Sequence, residues 1–257
     1  TTCQTRMIMP CPQARRLAGG WALRYNGPRS ARAHTWHLEG ITHAMDITWY
    51  GLSCFRMMER GVASIVTDPY DSSIGLPEPN LRADIVTVSH DAPGHNALGA
   101  VKRYEHALTR PGEYEIGGVF ITGVATYAPE RPAEDVRLNV VFVFDFGNFT
   151  VAHLGDLDHV PSQSRIEELG PIDVLLVPVG GGGALNSAQA AEVISLIEPS
   201  TVVPMHYKTD GCQLELDPLD KFLAELGISE VEEQETLSVR GGGGSEETSV
   251  VVLKHTH

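Results

Sequence analysis

The sequence predicts an α/β fold, a four-layer αββα sandwich, and three observations predict it. Short β-rich runs broken by glycine dominate the first half from Met45 onward. Strands and helical stripes alternate in the second half. Both β-rich portions carry apolar faces that must be covered, so the economical solution is two facing sheets with helices outside.

The elements follow in order. "DITWYG", "SCFRMM" and "VASIVTD" are expected to be meandering strands, and "DIVTVS" (Asp84 to Ser89) is a further strand that runs into "VSHDAPGHN". "GEYEIGGVFITGVATY" and "LNVVFVFDFGNFTVAHLGD" are expected to fold as antiparallel hairpins turning at Gly117-Gly118 and Gly147-Asn148. Ser162 or Ser164 can cap a short helix that stops at Gly170, and "IDVLLVPV" follows as a continuous apolar strand. Ala190, Val193, Ile194 and Ile197 mark one buried helical stripe, and "TVVPMHY" is the next strand. In the last helix Asp217 is the expected N-cap, Pro218 the first position, and Leu219, Phe222, Leu223 and Leu226 the stripe, with Gly227 ending it. The tract Gly241 to Gly244 is expected to be a loop before a closing strand, "SVVVL" (Ser249 to Leu253).

Charge divides the chain unevenly. Residues 1–44 carry six arginines against Glu39 alone, a net +5, while residues 45–257 carry −19. The basic segment has no apolar period and is expected to be a disordered N-terminal extension ahead of one domain, 45–257. Met45 stands directly before the first strand, so this extension reads as upstream sequence, with an Arg-rich leader as the alternative. The overall charge of −14 argues against nucleic acid or an anionic membrane as the main partner. Cys3, Cys11, Cys54 and Cys212 form no C-x-x-C pair, so reduced thiols are expected rather than a disulfide framework or zinc knuckle. No apolar run is long enough to cross a bilayer and no signal-peptide core is evident, so the expected location is cytoplasmic. Nothing in the sequence sets an oligomeric state.

Polar residues gather at four predicted strand ends: Asp68 in "TDPY", His90 to His95, His153 to His159 in "HLGDLDH", and His206 to Lys208 in "MHYK". Strand ends and the loops after them are where sites are built in mixed sheets. Singly, each has a structural explanation, because a lone histidine is more often a hydrogen-bonded core group and a lone aspartate a turn former.

Together, and in this order, "TWYGLSCF", "TDPY", "VSHDAPGHN", "ITGVATY", "HLGD", "LLVPVGG" and "VVPMHYK" resemble the metallo-β-lactamase superfamily. The resemblance is in particular to its metal-dependent hydrolase branch that includes the ascorbate-6-phosphate lactonase group, and it runs from about Met45 to Gly227. It implies the αββα fold by a separate route. It also implies a ligand loop His-x-His-x-Asp-His, whose matching positions here are His90, Ala92, Gly94 and His95. A further family histidine falls at Ala128, a bridging aspartate at Asp156 and the last histidine at His206, while Leu52 stands where many relatives carry histidine.

The departures fall unevenly on the two metal positions of that family. The first keeps only His90 and the shared Asp156, too few for zinc. The second keeps His95, Asp156 and His206, enough for one zinc, iron or manganese ion. Two functional readings follow. One is a mononuclear metallohydrolase acting on an ester, lactone or phosphoester in a small, anionic molecule; His90 and Asp156 serve the water, and Lys208 steadies the anion or oxyanion. The other is a metal-free member that binds a ligand or partner, with its histidines kept as hydrogen-bonding groups. Asp68 is expected to support the site through hydrogen bonds, and His153, Asp158 and His159 to flank Asp156 or face solvent. Gly180 to Gly183 is expected to be a close-packed turn bordering the cleft, and Cys54 a small buried group rather than a nucleophile.

Overall fold

The computed structural model describes residues 44–127, 137–241 and 247–256. The basic extension through residue 43, Ala128 and most of the Gly241–Gly244 tract lie outside them.

Seventeen short strands and three α-helices make up the described residues. The first half holds β1 (Met45–Trp49), β2 (Phe55–Met58), β3 (Ile65–Thr67), β4 (Leu81–Arg82), β5 (Ile85–Thr87), β6 (Val101–Lys102) and β7 (His106–Leu108). Two hairpins follow: β8 (Gly112–Ile116) with β9 (Val119–Thr126), and β10 (Asn139–Asp145) with β11 (Thr150–His153). Helix α1 (Gln163–Leu169), β12 (Val174–Pro178), α2 (Ser187–Ile197), β13 (Thr201–Met205) and α3 (Leu219–Glu225) alternate after that. Four short strands close the chain: β14 (Glu233–Gln234), β15 (Leu237–Val239), β16 (Ser249–Val250) and β17 (Val252–Leu253).

Two large sheets result. One is six-stranded, ordered β15-β1-β2-β3-β5-β7, and the other seven-stranded, ordered β16-β13-β12-β11-β10-β9-β8. Alternation along the strands shows what each face covers. Ile65 of β3 and Ile85 of β5 point into the main core with Phe142, Phe144, Val151 and Leu175 of the second sheet, whereas the adjacent Val66 and Val86 point the other way. That second face buries Leu52, Cys54, Tyr70, Ile74, Leu81 and Val101 in a smaller cluster of its own. This is a mixed α/β architecture, mostly sheet with few helices.

The outer layers are unequal. Among the described residues all three α-helices belong to the second half, and the outer face of the first sheet is covered by 3-10 turns and the β4–β6 pair instead. The segments that do this work are too short and proline-rich to sustain a helix: "TDPYDSSIGLPEPN" contains three prolines. Helix α2 shows the expected stripe, burying Ala190, Val193 and Ile194, and Asn186 closes a capping box with Gln189. In α3 the cap differs from expectation: Pro218, not Asp217, is the N-cap, and the Asp217 carboxylate pairs with Lys221. The closing strand also divides, because Val250 pairs with β13 while Val252 and Leu253 pair with β14, in a different sheet.

Strands β3 and β5 run parallel in the first sheet, and β11, β12 and β13 run parallel in the second. Asp68, Ser89-His90, Asp156 and His206 all follow the C-terminal ends of these strands. The fold therefore delivers four polar loops to one edge of the sandwich.

Candidate metal centre

Asp156 is the hub of these loops. His206 Nε2 lies 3.2 Å from its Oδ1, and His95 Nε2 and His90 Nε2 lie 3.4 and 3.5 Å from its Oδ2. All four side chains are buried, with between 2 and 6% of each exposed. Two groups have ligand atoms close enough to share an ion: His95, Asp156 and His206, and Asp68, His90 and His95.

The loop that carries Asp156 is held by groups that motif reading did not single out. Asn139 accepts the Asp156 backbone N–H at 2.9 Å and donates to Leu154 O and Thr126 Oγ1, each at 3.0 Å. Gly155 sits at φ +58°, and a Cβ there would meet Asn139 Oδ1 at 2.4 Å and Ser89 Cβ at 2.5 Å, so glycine is required. His206 is likewise fixed through its backbone, at φ +53°, with its N–H bonded to Leu52 O at 3.0 Å.

Asp68 sets the polarity of the centre. Its Oδ1 accepts the Ser89 N–H at 2.7 Å, and its Oδ2 accepts the Ser89 hydroxyl at 2.5 Å and faces His95 Nδ1 at 3.1 Å. An ionised carboxylate only accepts, so His95 carries its proton on Nδ1 and turns a bare Nε2 toward Asp156. The Ser89 hydroxyl proton is already given to Asp68, so Ser89 Oγ accepts from His90 Nδ1 at 3.0 Å. His90 Nε2 is then bare as well. Two imidazole lone pairs and a carboxylate thus point at one another, and His90 Nε2 and Asp156 Oδ1 are buried without hydrogen-bond partners. The sequence finds Asp68 as a supporting group; Ser89 carries no signal of its own there.

Electrostatics follow the same geometry. Burial pushes the Asp156 carboxyl up, but the surrounding His95, His206, His90 and Arg137 outweigh it and hold it at about 2. Burial opposes charge on His95 too, yet the carboxylates of Asp156 and Asp68 on either side raise it above the usual 6.5. For His90 and His206 the carboxylates are outweighed: burial, with His95 beside them, lowers both, His90 to about 4. A centre without a metal would therefore concentrate its proton on His95.

Other predicted groups stand apart. Lys208 is exposed, and its ammonium donates to the carbonyls of Cys212 at 2.6 Å and Leu214 at 2.8 Å; it does not line the cavity over the centre. His153 is fully buried and structural, with Nε2 bonded to Ser53 O at 2.9 Å and Nδ1 accepting the Gly155 N–H at 3.3 Å. Asp158 and His159 pair with each other at 2.8 Å. Cys54 is buried, and burial pushes its thiol well above the ordinary range. Gly182 lines the cavity, and the tract is close-packed at Gly180 and Gly182 but open at Gly181, where a Cβ would meet nothing within 4 Å.

Arg137 is the residue the motifs missed. Its Nη2 donates to Gly183 O at 2.9 Å and lies 3.9 Å from Asp156 Oδ2. It lines both the 340 Å³ cavity over the centre and a neighbouring 670 Å³ cavity. Arg137 belongs to no periodic pattern or motif, so only the fold reveals it.

Leu52 limits what residue 94 can carry. At φ +94°, a Cβ on Gly94 would lie 2.8 Å from Leu52 Cδ2 and 3.4 Å from Ile74 Cγ2. Leu52 belongs to the buried apolar cluster. A side chain at residue 94 would therefore press on that cluster.

Two facing sheets with imidazoles and carboxylates collected at one edge define a metallo-β-lactamase-type protein. The family model described as a beta-lactamase superfamily domain matches residues 46–206, and the chain belongs to that superfamily and, within it, to the UPF0173 family. A UPF0173 protein of Pyrococcus abyssi is 31% identical over 65% of this chain and 85% of its own length. A UPF0173 metal-dependent hydrolase of Carboxydothermus hydrogenoformans is 26% identical over 64% of this chain and 85% of its own. The crystal structure of a candidate Zn-dependent hydrolase of the metallo-β-lactamase superfamily from Thermotoga maritima superposes with a TM-score of 0.67 at 38% identity, covering 82% of this chain and all of the other.

Proposed function

We propose that this protein is a metallohydrolase that holds one divalent ion, zinc, iron or manganese, through His95, Asp156 and His206, and cleaves an ester, lactone or phosphoester in a small molecule. The observation that carries this reading is the direction of the hydrogen bonds. Asp68 and Ser89 hold the Nδ1 protons of His95 and His90, so their Nε2 atoms face a carboxylate at 3.4 and 3.5 Å, an arrangement that is repulsive unless a metal ion or, in its absence, a second proton on His95 lies among them. The spacing also fits, since ligand atoms bound at about 2.0–2.2 Å lie roughly 3 Å from one another.

Such an ion would supply Lewis acidity and acidify a water at neutral pH. The chain's own residues do the rest. Asp68 orients His95, and Asn139 and Gly155 fix Asp156. His90 faces both cavities, and its Nε2 is the atom that accepts a hydrogen bond from a water entering beside Asp156. The lactone in the substrate range rests on the motif resemblance alone.

A second reading, a metal-free binding protein, has its own observation: Leu52 seals the space beside Gly94, and His206 Nδ1 is buried with no partner to orient the ring. Metal analysis separates the two. Protein purified without chelator or a histidine tag is expected to carry close to one equivalent of metal, and Asp156→Ala to carry none. Wild type that stays empty after incubation with zinc, iron and manganese in turn would overturn the metallohydrolase reading.

A further inference from the structure

The larger cavity is the second polar feature of the molecule. It measures 670 Å³, within the range of small-molecule pockets, and adjoins the centre through His90 and Arg137, which line both spaces. Its walls combine apolar Val88, Leu98 and Leu138 with the two cations Arg110 and Arg137, and one acid, Asp91. The Asp91 carboxylate accepts the Asn96 side-chain amide on the same loop, which draws its charge toward that loop.

This local balance runs against the chain. Residues 45–257 carry a net −19, so the mean field repels an anion, and two guanidiniums facing one cavity reverse that locally. Arginine also matches the fork of a carboxylate or phosphate better than lysine does. Arg137 is fixed in place, because Nη2 is bonded to Gly183 O at 2.9 Å and approaches Asp156 O at 3.4 Å. It stands at the junction with the centre; Arg110 lines the larger cavity and not the one over the centre.

We infer that this cavity is the substrate pocket and that it takes a small oxyanion-bearing compound, with Arg110 binding the anionic group away from the centre and Arg137 facing the oxygens nearest it. Here Arg137 takes the part that motif reading gave to Lys208. The inference rests on the proposed function for the identity of the reacting end, while anion recognition itself needs no metal.

Titration calorimetry at low salt tests it with three probes: inorganic phosphate, succinate and the neutral isostere succinamide. Wild type, loaded with zinc and separately stripped of metal, is compared with Arg110→Gln and Arg137→Gln. Arg110 is exposed, so its replacement leaves the core untouched. The expected result is that one or both anions bind at least tenfold more tightly than succinamide in both wild-type forms. Arg110→Gln then loses tenfold or more of that affinity with unchanged metal content. Phosphate preferred over succinate would assign the anion as a phosphate, and the reverse as a carboxylate. Equal binding of succinamide, or full anion affinity in Arg110→Gln, overturns the inference. A stripped protein that keeps its anion preference but never takes up metal would overturn the metal reading alone.

Discussion

The two sides of the polar centre differ in how they are finished. On the side of His95, every proton has an assigned place: Asp68 takes three donors, and the ring is held between two carboxylates at 3.1 and 3.4 Å. On the side of His90, the ring keeps its hydrogen bond to Ser89, but beyond it lie Ala92 and the open cavities rather than further ligands. The difference teaches that orienting a ring and supplying it with neighbouring ligands are separate tasks in this fold. Each ring has an orienting hydrogen bond on Nδ1, to Ser89 for His90 and to Asp68 for His95, and the two sides differ in what stands beyond the ring.

The sharpest way to break this comparison is to add a carboxylate at residue 94. Gly94→Asp places a side chain at φ +94°, 2.8 Å from Leu52 Cδ2, and buries a charge beside an apolar cluster. A loss of about 3–5 kcal/mol is expected from strain, overlap and desolvation together, measured by urea unfolding. Adding Leu52→Ala is expected to recover part of it if the overlap is the main term. No recovery would mean that the backbone conformation, not Leu52, excludes the aspartate.

Asp68→Asn tests the finished side. An amide offers one acceptor and two donors where three donors now converge, so either Ser89 or His95 loses its partner. Metal affinity is expected to fall about 10–100-fold, read by competition with a chromogenic chelator. An unchanged affinity would show that His95 is oriented by packing alone.

These cases also show how much was legible beforehand. The main strands, both hairpins and the stripe of α2 follow from alternation and periodicity, which are local properties of sequence, whereas the order of strands within each sheet does not. The loops carrying His90, His95, Asp156 and His206 were legible because a motif preserves residue types at fixed strand ends. Arg137, Asn139 and Ser89 were not, since each has a decisive contact far away in sequence, such as Asn139 with Asp156 and Ser89 with Asp68. The unequal outer layers were hidden for a related reason: apolar faces demand cover, but 3-10 turns meet that demand as well as helices do.

A smaller effect concerns His153, which lies beneath the centre as a structural histidine. Burial lowers its pKa below the usual 6.5, with the nearby Asp68 only partly opposing this. The unfolded chain therefore binds the proton more readily than the fold does. Its contribution is fully present above about 6.5 and is lost as pH falls from there toward the folded value. Urea midpoints at pH 7.5 and 5.5 should fall more in wild type than in His153→Gln. That variant should start lower by about 1–3 kcal/mol, because Ser53 O or the Gly155 N–H is left without its partner. Equal slopes would assign the acid sensitivity to other groups.

Lys208 gives the smallest expected change and the most direct contrast with Arg137. Its ammonium already bonds two carbonyls of the loop that follows β13, Cys212 O and Leu214 O, and it does not face either cavity. Exposed hydrogen bonds of this kind contribute about 1 kcal/mol or less. Lys208→Gln is therefore expected to lower stability slightly while metal content and anion binding stay at wild-type values. Arg137→Gln, by contrast, removes a cation 3.9 Å from Asp156 and weakens anion binding. If instead Lys208→Gln lost the anion and Arg137→Gln kept it, the lysine must leave its two carbonyls when ligand arrives. The loop from Thr209 to Leu214 would then be part of recognition, and the comparison of a finished side with an open one would have to include a moving wall.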